Sequence, residues 1–273
     1  MKIKIVFFLF TFLVFTSFNS DNSFAQQKKI SSVAGAQKLA LALANPVANL
    51  ISVPFQNNTV WGIGENNGSQ NVLNIQPVVP IGITKGINMI SRIIVPVISQ
   101  FNVTGMGSSQ NALADIQYSI FFSPKVSKVI WGIGPIMSIP SATNTYLGSG
   151  RFSIGPTGVL LYQTNGWTMG ALINQFWSVG GNPDRGNQTQ GYLQPFLGYA
   201  WKTGGGFNLN AEMTQNWKVK RTQTYMNFVF SGLTKLGKFP VQFAVGPRIP
   251  IAALPQLKGY FGVRAIMTFL FPK

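Results

Sequence analysis

The sequence predicts an all-β chain, closed as a transmembrane antiparallel up-and-down β-barrel of about twelve strands. Three observations carry that expectation. Apolar and polar residues alternate with period two over most of the chain. The connections between the alternating segments are short and long in turn. The six tryptophans fall at the ends of those segments.

The composition agrees. Charged residues make up 10% of the chain and apolar residues 46%, whereas a soluble domain typically carries roughly 25% charged residues. A chain so poor in charge has a large surface that does not face water. The balance is basic, with 21 Lys and Arg against 5 Asp and Glu. These cations are scattered, and the densest group is Lys218, Lys220 and Arg221. A nucleic-acid binder collects its charge on a stripe or patch, so no nucleic-acid partner is expected.

The N-terminus reads as a cleaved signal peptide over 1–25. Lys2 and Lys4 precede the apolar run Ile5 to Phe18, and Ser23-Phe24-Ala25 offers small residues at a cleavage site. Residues 26–47 differ from the rest. Lys28-Lys29 opens an Ala- and Leu-rich stretch ending at Asn45-Pro46, whose composition favours a helix. It is either a periplasmic or plugging segment or a short leader. The barrel is assigned to 48–273.

Alternation begins near Ala48. Leu73, Ile75, Val79, Ile81 and Ile83 share one parity with Pro77, opposite Asn74, Gln76 and Gly82, with Val78 and Pro80. Ile116, Tyr118, Ile120 and Phe122 oppose Asp115, Gln117, Ser119 and Ser123. Phe207, Leu209, Ala211 and Met213 oppose Asn208, Asn210, Glu212 and Thr214. Phe261, Val263, Ala265, Met267 and Phe269 oppose Gly262, Arg264 and Thr268. Each is a strand with one oily face and one polar face. The segments are 48–60, 70–83, 87–98, 113–123, 129–140, 151–163, 167–178, 190–201, 206–217, 223–234, 239–250 and 260–271, each long enough to cross a bilayer at a tilt.

Thr84-Lys85-Gly86, Lys125 to Lys128, Thr164-Asn165-Gly166, Lys202 to Gly206 and Lys235 to Lys238 are the short connections. The longer ones are 61–69, 99–112, 141–150 and 179–189, with 218–222 and 251–259 less extreme. Outer-membrane barrels have short periplasmic turns and longer external loops. Trp131, Trp167 and Trp201 adjoin the short turns, and Trp61, Trp177 and Trp217 the opposite ends. Tryptophan favours the headgroup level, so these predict two girdles. The aromatic ending Phe269-Leu270-Phe271 resembles a signal for the barrel-assembly machinery. Outer-membrane lipid and lipopolysaccharide are the expected surroundings, with Lys218, Lys220 and Arg221 outward. Against the model stand Pro96, Pro135, Pro140, Pro156 and Pro195, which fall inside expected strands.

The segments Leu50 to Asn58 (LISVPFQNN), Asn71 to Pro80 (NVLNIQPVVP), Arg92 to Gln100 (RIIVPVISQ), Phe121-Phe122-Ser123-Pro124, Ile130 to Pro135 (IWGIGP), Leu147 to Gly150 (LGSG) and Leu193-Gln194-Pro195-Phe196 together resemble the bacterial meta-pathway phenol-degradation family. The resemblance spans nearly all of the chain beyond residue 25. It implies an outer-membrane barrel and a channel or transporter for small solutes, aromatic or otherwise hydrophobic. The chain departs from the family in having few acids in its loops.

Catalytic chemistry is not expected. The sequence has no His and no Cys, and beyond residue 25 its acids are Glu65, Asp115, Asp184 and Glu212, on separate segments. A His-based nucleophile system is not available from such a set, a carboxylate pair or metal cage is not expected, and no cofactor is expected. The lumen is the place to look. Parity puts Arg92, Arg151, Arg248 and Arg264 on the polar face with Asp115 and Glu212. In a narrow bore that excess favours anions or the polar end of an amphiphile. The same residues also suit cross-strand pairing, and Arg92 stands one hairpin from Asp115. Gln76, Asn174, Tyr192 and Gln194 share the face, with Phe196. A small-molecule solute is the expected partner. The alternative is a non-transporting structural or surface barrel closed by its N-terminal segment.

Overall fold

The computed structural model describes residues 35–125, 127–237, 239–253 and 257–271. The expected signal peptide and residues 26–34 lie outside the described residues.

Fourteen strand segments form one sheet. They are β1 (Ile51–Ile63), β2 (Gly68–Ile75), β3 (Val78–Gly82), β4 (Ile87–Phe101), β5 (Ser109–Leu113), β6 (Ile116–Pro124), β7 (Val129–Ile139), β8 (Arg151–Thr164), β9 (Trp167–Gly181), β10 (Thr189–Ala200), β11 (Gly206–Asn216), β12 (Arg221–Leu236), β13 (Phe239–Ala252) and β14 (Phe261–Phe271). β2 with β3, and β5 with β6, are two staves each broken once, so the wall has twelve staves. All pairings are antiparallel. β14 returns to β1 in register from Ile51↔Phe271 to Trp61↔Phe261, which closes the barrel and leaves no open edge between first and last strands.

The two breaks correct the expectation of continuous strands at 70–83 and 113–123. The first falls at Gln76-Pro77, where Pro77 has no N–H to give a ladder. Gln76 N still donates to Pro54 O at 2.9 Å, and Ile93 N to Pro77 O at 3.1 Å. The second, at Ala114-Asp115, lies opposite Pro96, whose carbonyl accepts from Ala114 N at 2.9 Å.

The connections segregate as expected. At one end, called here the turn end, lie 83–86, 125 with 127–128, 165–166, 201–205 and 237; the loop end carries 64–67, 102–108, 140–150, 182–188, 217–220, 253 and 257–260. Asn165 and Gly166, both at positive φ (47° and 88°), make the two-residue turn that suits the twist of a hairpin. The strands run further toward the loop end than alternation indicates. The expected loop 61–69 shrinks to 64–67, and 99–112 shrinks to 102–108, because Gly68–Ile75 and Ser109–Leu113 continue the ladders.

The strand prolines fit for a shared reason. Gly134-Pro135, Gly155-Pro156 and Gly246-Pro247 each coincide with a short gap in one ladder, after which pairing resumes in register. At each gap the glycine lies against a carbonyl of the adjacent strand: Ile120 O, Gln175 O and Phe228 O. Any Cβ there would overlap it. Proline removes the donor and glycine lets the backbones close over the gap. Pro195 opens a similar gap between β10 and β11, and Pro140 lies just beyond β7.

Strand parity sorts the side chains. Val79, Ile81, Ile133, Leu160, Ile173, Phe230 and Val245 are exposed on the outer wall, where an apolar band suits lipid. All six tryptophans are partly exposed, and the two expected girdles are present. Inward, the barrel is two-sided. Ile90, Phe121, Val159, Leu161 and Leu172 pack as an apolar cluster on β4, β6, β8 and β9, and Val47 inserts into it. The opposite wall is polar, with Asn58, Asn210, Asn227, Arg248 and Arg264 buried.

Val47 belongs to the N-terminal segment. A helix, α1, spans 35–43, as the Ala and Leu content suggests. Asn45 Oδ1 accepts from Val47 N at 3.0 Å and turns the chain toward β1. Gln37 donates to Ala200 O at 2.8 Å, and Gln163 donates to Leu41 O at 2.8 Å. The segment therefore occupies the turn-end mouth of the barrel.

Candidate functional site at the waist of the barrel

Among the described residues, three cavities lie along the lumen. A cavity of about 1070 Å³ opens toward the loop end. Two smaller ones, of about 240 and 220 Å³, flank residues 42–46 at the turn end. Gln56 on β1 and Gln194 on β10 line all three, while Gln76, Arg92 and Leu172 line the large cavity and the first small one. These residues mark the waist.

The charge at the waist comes from four strands. Glu212 on β11 receives Arg248 Nη1 from β13 at 2.6 Å and stands 2.7 Å from Arg264 Nη2 of β14. The first contact is an aligned hydrogen bond; the second is a close ion pair off the hydrogen-bond direction. Arg248 Nη1 also donates to Asn227 Oδ1 at 2.8 Å, and its guanidinium lies 3.8 Å over the Tyr225 ring. Arg264 Nε donates to Asn58 Oδ1 at 2.7 Å. A buried ion needs several such partners to offset its lost hydration. Arg92 on β4 differs: its Nη2 donates to Gln76 Oε1 at 2.7 Å. Among the described residues no carboxylate lies within 4.0 Å of it. Three arginines thus face one carboxylate, a positive waist between low-dielectric walls.

The structure divides the expected lumen residues into two groups. Arg92, Arg248, Arg264, Glu212, Gln76, Tyr192 and Gln194 meet at or next to the waist, and Asn174 lines the large cavity while accepting from Thr157 Oγ1 at 2.5 Å. Arg151 does not line the cavity. It opens β8 at the rim, where it donates to Asn182 O at 2.8 Å and to Asn187 Oδ1. Asp115 touches the large cavity, but its oxygens accept from Ala142 N (3.3 Å), Ser149 N (2.7 Å) and Ser149 Oγ (2.5 Å). The pairing of Arg92 with Asp115 considered above does not occur; the strand break at Ala114-Asp115 turns the carboxylate to the loop instead. Sequence reasoning missed Asn58, Asn227 and Tyr225, which hold the two paired arginines. It also missed Arg185, which donates to Thr145 O, Gly148 O and Ser149 O at 2.6–3.2 Å and pins the 140–150 loop. The parity of β1 and β12 carried a signal for the first three. A loop arginine gave none. Among the described residues no group of three His, Cys, Asp or Glu gathers as a metal site.

A closed twelve-stave antiparallel barrel with an apolar outer wall and a charged polar lumen has the architecture of an outer-membrane β-barrel. Its fold is similar to that of an outer-membrane channel from Pseudomonas putida F1, with a TM-score of 0.62 and 12% identity over 83% of this chain and 97% of that one. An anion-selective porin from Comamonas acidovorans is a looser likeness, with a TM-score of 0.40 and 8% identity over 81% of this chain and 98% of that one. No family model and no curated protein matches the chain.

Proposed function

We propose that this protein is a non-enzymatic outer-membrane channel for small solutes, with a preference for anions. The carrying observation is the waist, where Arg92, Arg248 and Arg264 face the single carboxylate of Glu212 inside a closed barrel. A fixed positive potential where the cavities meet raises local anion concentration and opposes cations. The apolar outer wall and the girdles support a place in the outer membrane, reached by export on a signal peptide over 1–25. The motifs quoted above support membership of the meta-pathway phenol-degradation family. The test is a reversal potential in planar bilayers under a KCl gradient. Chloride should carry most of the current, and replacing Arg92, Arg248 and Arg264 by Gln together should reduce that preference severalfold. A folded barrel without current would overturn the channel reading.

A second reading has its own observation. Helix α1 and Val47 fill much of the turn-end mouth, as in a barrel closed by its N-terminal segment. The same bilayer measurement separates the two.

A further inference from the structure

The three waist arginines are not equivalent. Arg248 and Arg264 share Glu212 and are held by Asn227 and Asn58. Arg92 gives one bond, from Nη2 to Gln76, and faces the cavity with Nε and Nη1 uncommitted. We propose that Arg92, with Gln76 beside it and Gln194 facing the same cavities, is a binding site for small monocarboxylates that carry an apolar or aromatic body; this rests on the channel reading.

The chemistry selects that class. Arg92 Nη2 keeps a second hydrogen beside the bond to Gln76, and together with Nε or Nη1 it presents a planar guanidinium edge that matches the two oxygens of a carboxylate. A single uncommitted cation balances one negative charge, and Glu212 across the waist disfavours a second. Gln194, which reaches the same two cavities from β10, adds amide hydrogen-bonding capacity. Part of the neighbouring surface is apolar. Leu172 and Phe196 line the adjoining small cavity, and both belong to or pack against the apolar cluster of the barrel. An apolar body lying there leaves water while its carboxylate stays paired, so affinity rises with the apolar area buried. Acetate gains only the charge contact and benzyl alcohol only the apolar one.

The full chain in planar bilayers tests this with chloride as current carrier. Benzoate should reduce the chloride current half-maximally at a concentration at least tenfold below that of acetate, with benzyl alcohol ineffective. Arg92→Gln should raise the benzoate concentration needed by tenfold or more, and Arg92→Lys by less, since it keeps the charge but not the planar fork. Equal block by benzoate and acetate overturns the proposal. So does unchanged benzoate block in a folded Arg92→Gln barrel. If Arg92→Gln does not fold, Arg92→Lys and the ligand series decide. If the wild-type chain passes no chloride, the channel reading fails and the site is judged by equilibrium dialysis of benzoate against the detergent-solubilised barrel. Binding weakened by Arg92→Lys keeps the site, and no binding removes it.

Discussion

Arg248 Nη1 lies 2.6 Å from Glu212 Oε2, and Glu212 presents its other oxygen to Arg264 at 2.7 Å. One carboxylate therefore holds two buried guanidinium groups from β13 and β14 against β11. Strands that are not hydrogen-bonded neighbours, β11 with β13 and β14, are tied along one wall of the lumen, and the tie sets the charge of the waist.

Glu212→Gln should remove the countercharge of both arginines while keeping the shape. Breaking a buried pair by removing one partner costs on the order of 3 kcal/mol. The urea midpoint for unfolding from lipid vesicles should fall accordingly. Reversal potentials should shift further toward chloride, because the waist gains net positive charge. A variant as stable and as selective as wild type would show that the ion pairs contribute nothing.

Gly155→Ala should cripple folding, because a Cβ there overlaps Gln175 O on the adjacent strand. Backbone overlap cannot be relieved by a rotamer change. The neighbouring Pro156→Ala should be tolerated within about 1 kcal/mol, since it restores a donor at a position where the β8–β9 ladder already has a gap. The electrophoretic shift between heated and unheated samples reports the folded fraction of each.

Much of this fold was legible in the sequence, because period two, connection length and tryptophan position are local patterns imposed by a bilayer. The Gly-Pro gaps were not, because they depend on which carbonyl lies opposite: Gly155 is explained by Gln175, a residue that only strand register places there. The same division holds at the waist. Parity put Arg92, Arg248, Arg264 and Glu212 inside, but not the pairing that commits two arginines and leaves the third. Parity did not give the partners of Arg151 and Asp115 either: Arg151 opens a strand at the rim, and Asp115 lines the large cavity at a strand break, and both side chains bond to loop groups.

Arg185→Ala should loosen the outer rim without unfolding the barrel. Its guanidinium caps three carbonyls of the 140–150 loop, and no ladder bond depends on it. The 140–150 loop should become sensitive to protease added outside intact vesicles, while the urea midpoint moves by roughly 1 kcal/mol or less. Cleavage elsewhere, or none, would show that the loop is held by Asp115 and Ser149 alone.

The N-terminal segment gives the last prediction. Residues 42–46 stand between the two small cavities, and Val47 is packed in the apolar cluster with Ile90 and Phe121. Deleting 35–47 should join those cavities to the large one and raise single-channel conductance at least twofold. It should also lower stability, by roughly 1.5–3 kcal/mol for the lost burial of Val47 alone. A crosslink separates a resident segment from a departing one. Val47 Cγ1 lies 2.9 Å from where a Cβ on residue 132 would stand, within the reach of a disulfide. The sequence has no cysteine to interfere. Val47→Cys with Gly132→Cys should oxidise readily and keep the wild-type conductance, because conduction runs past the segment rather than through its removal. Loss of current on oxidation, restored by reduction, would instead make the segment a gate that must leave. Unchanged conductance after the deletion would make it a leader with no part in the pore.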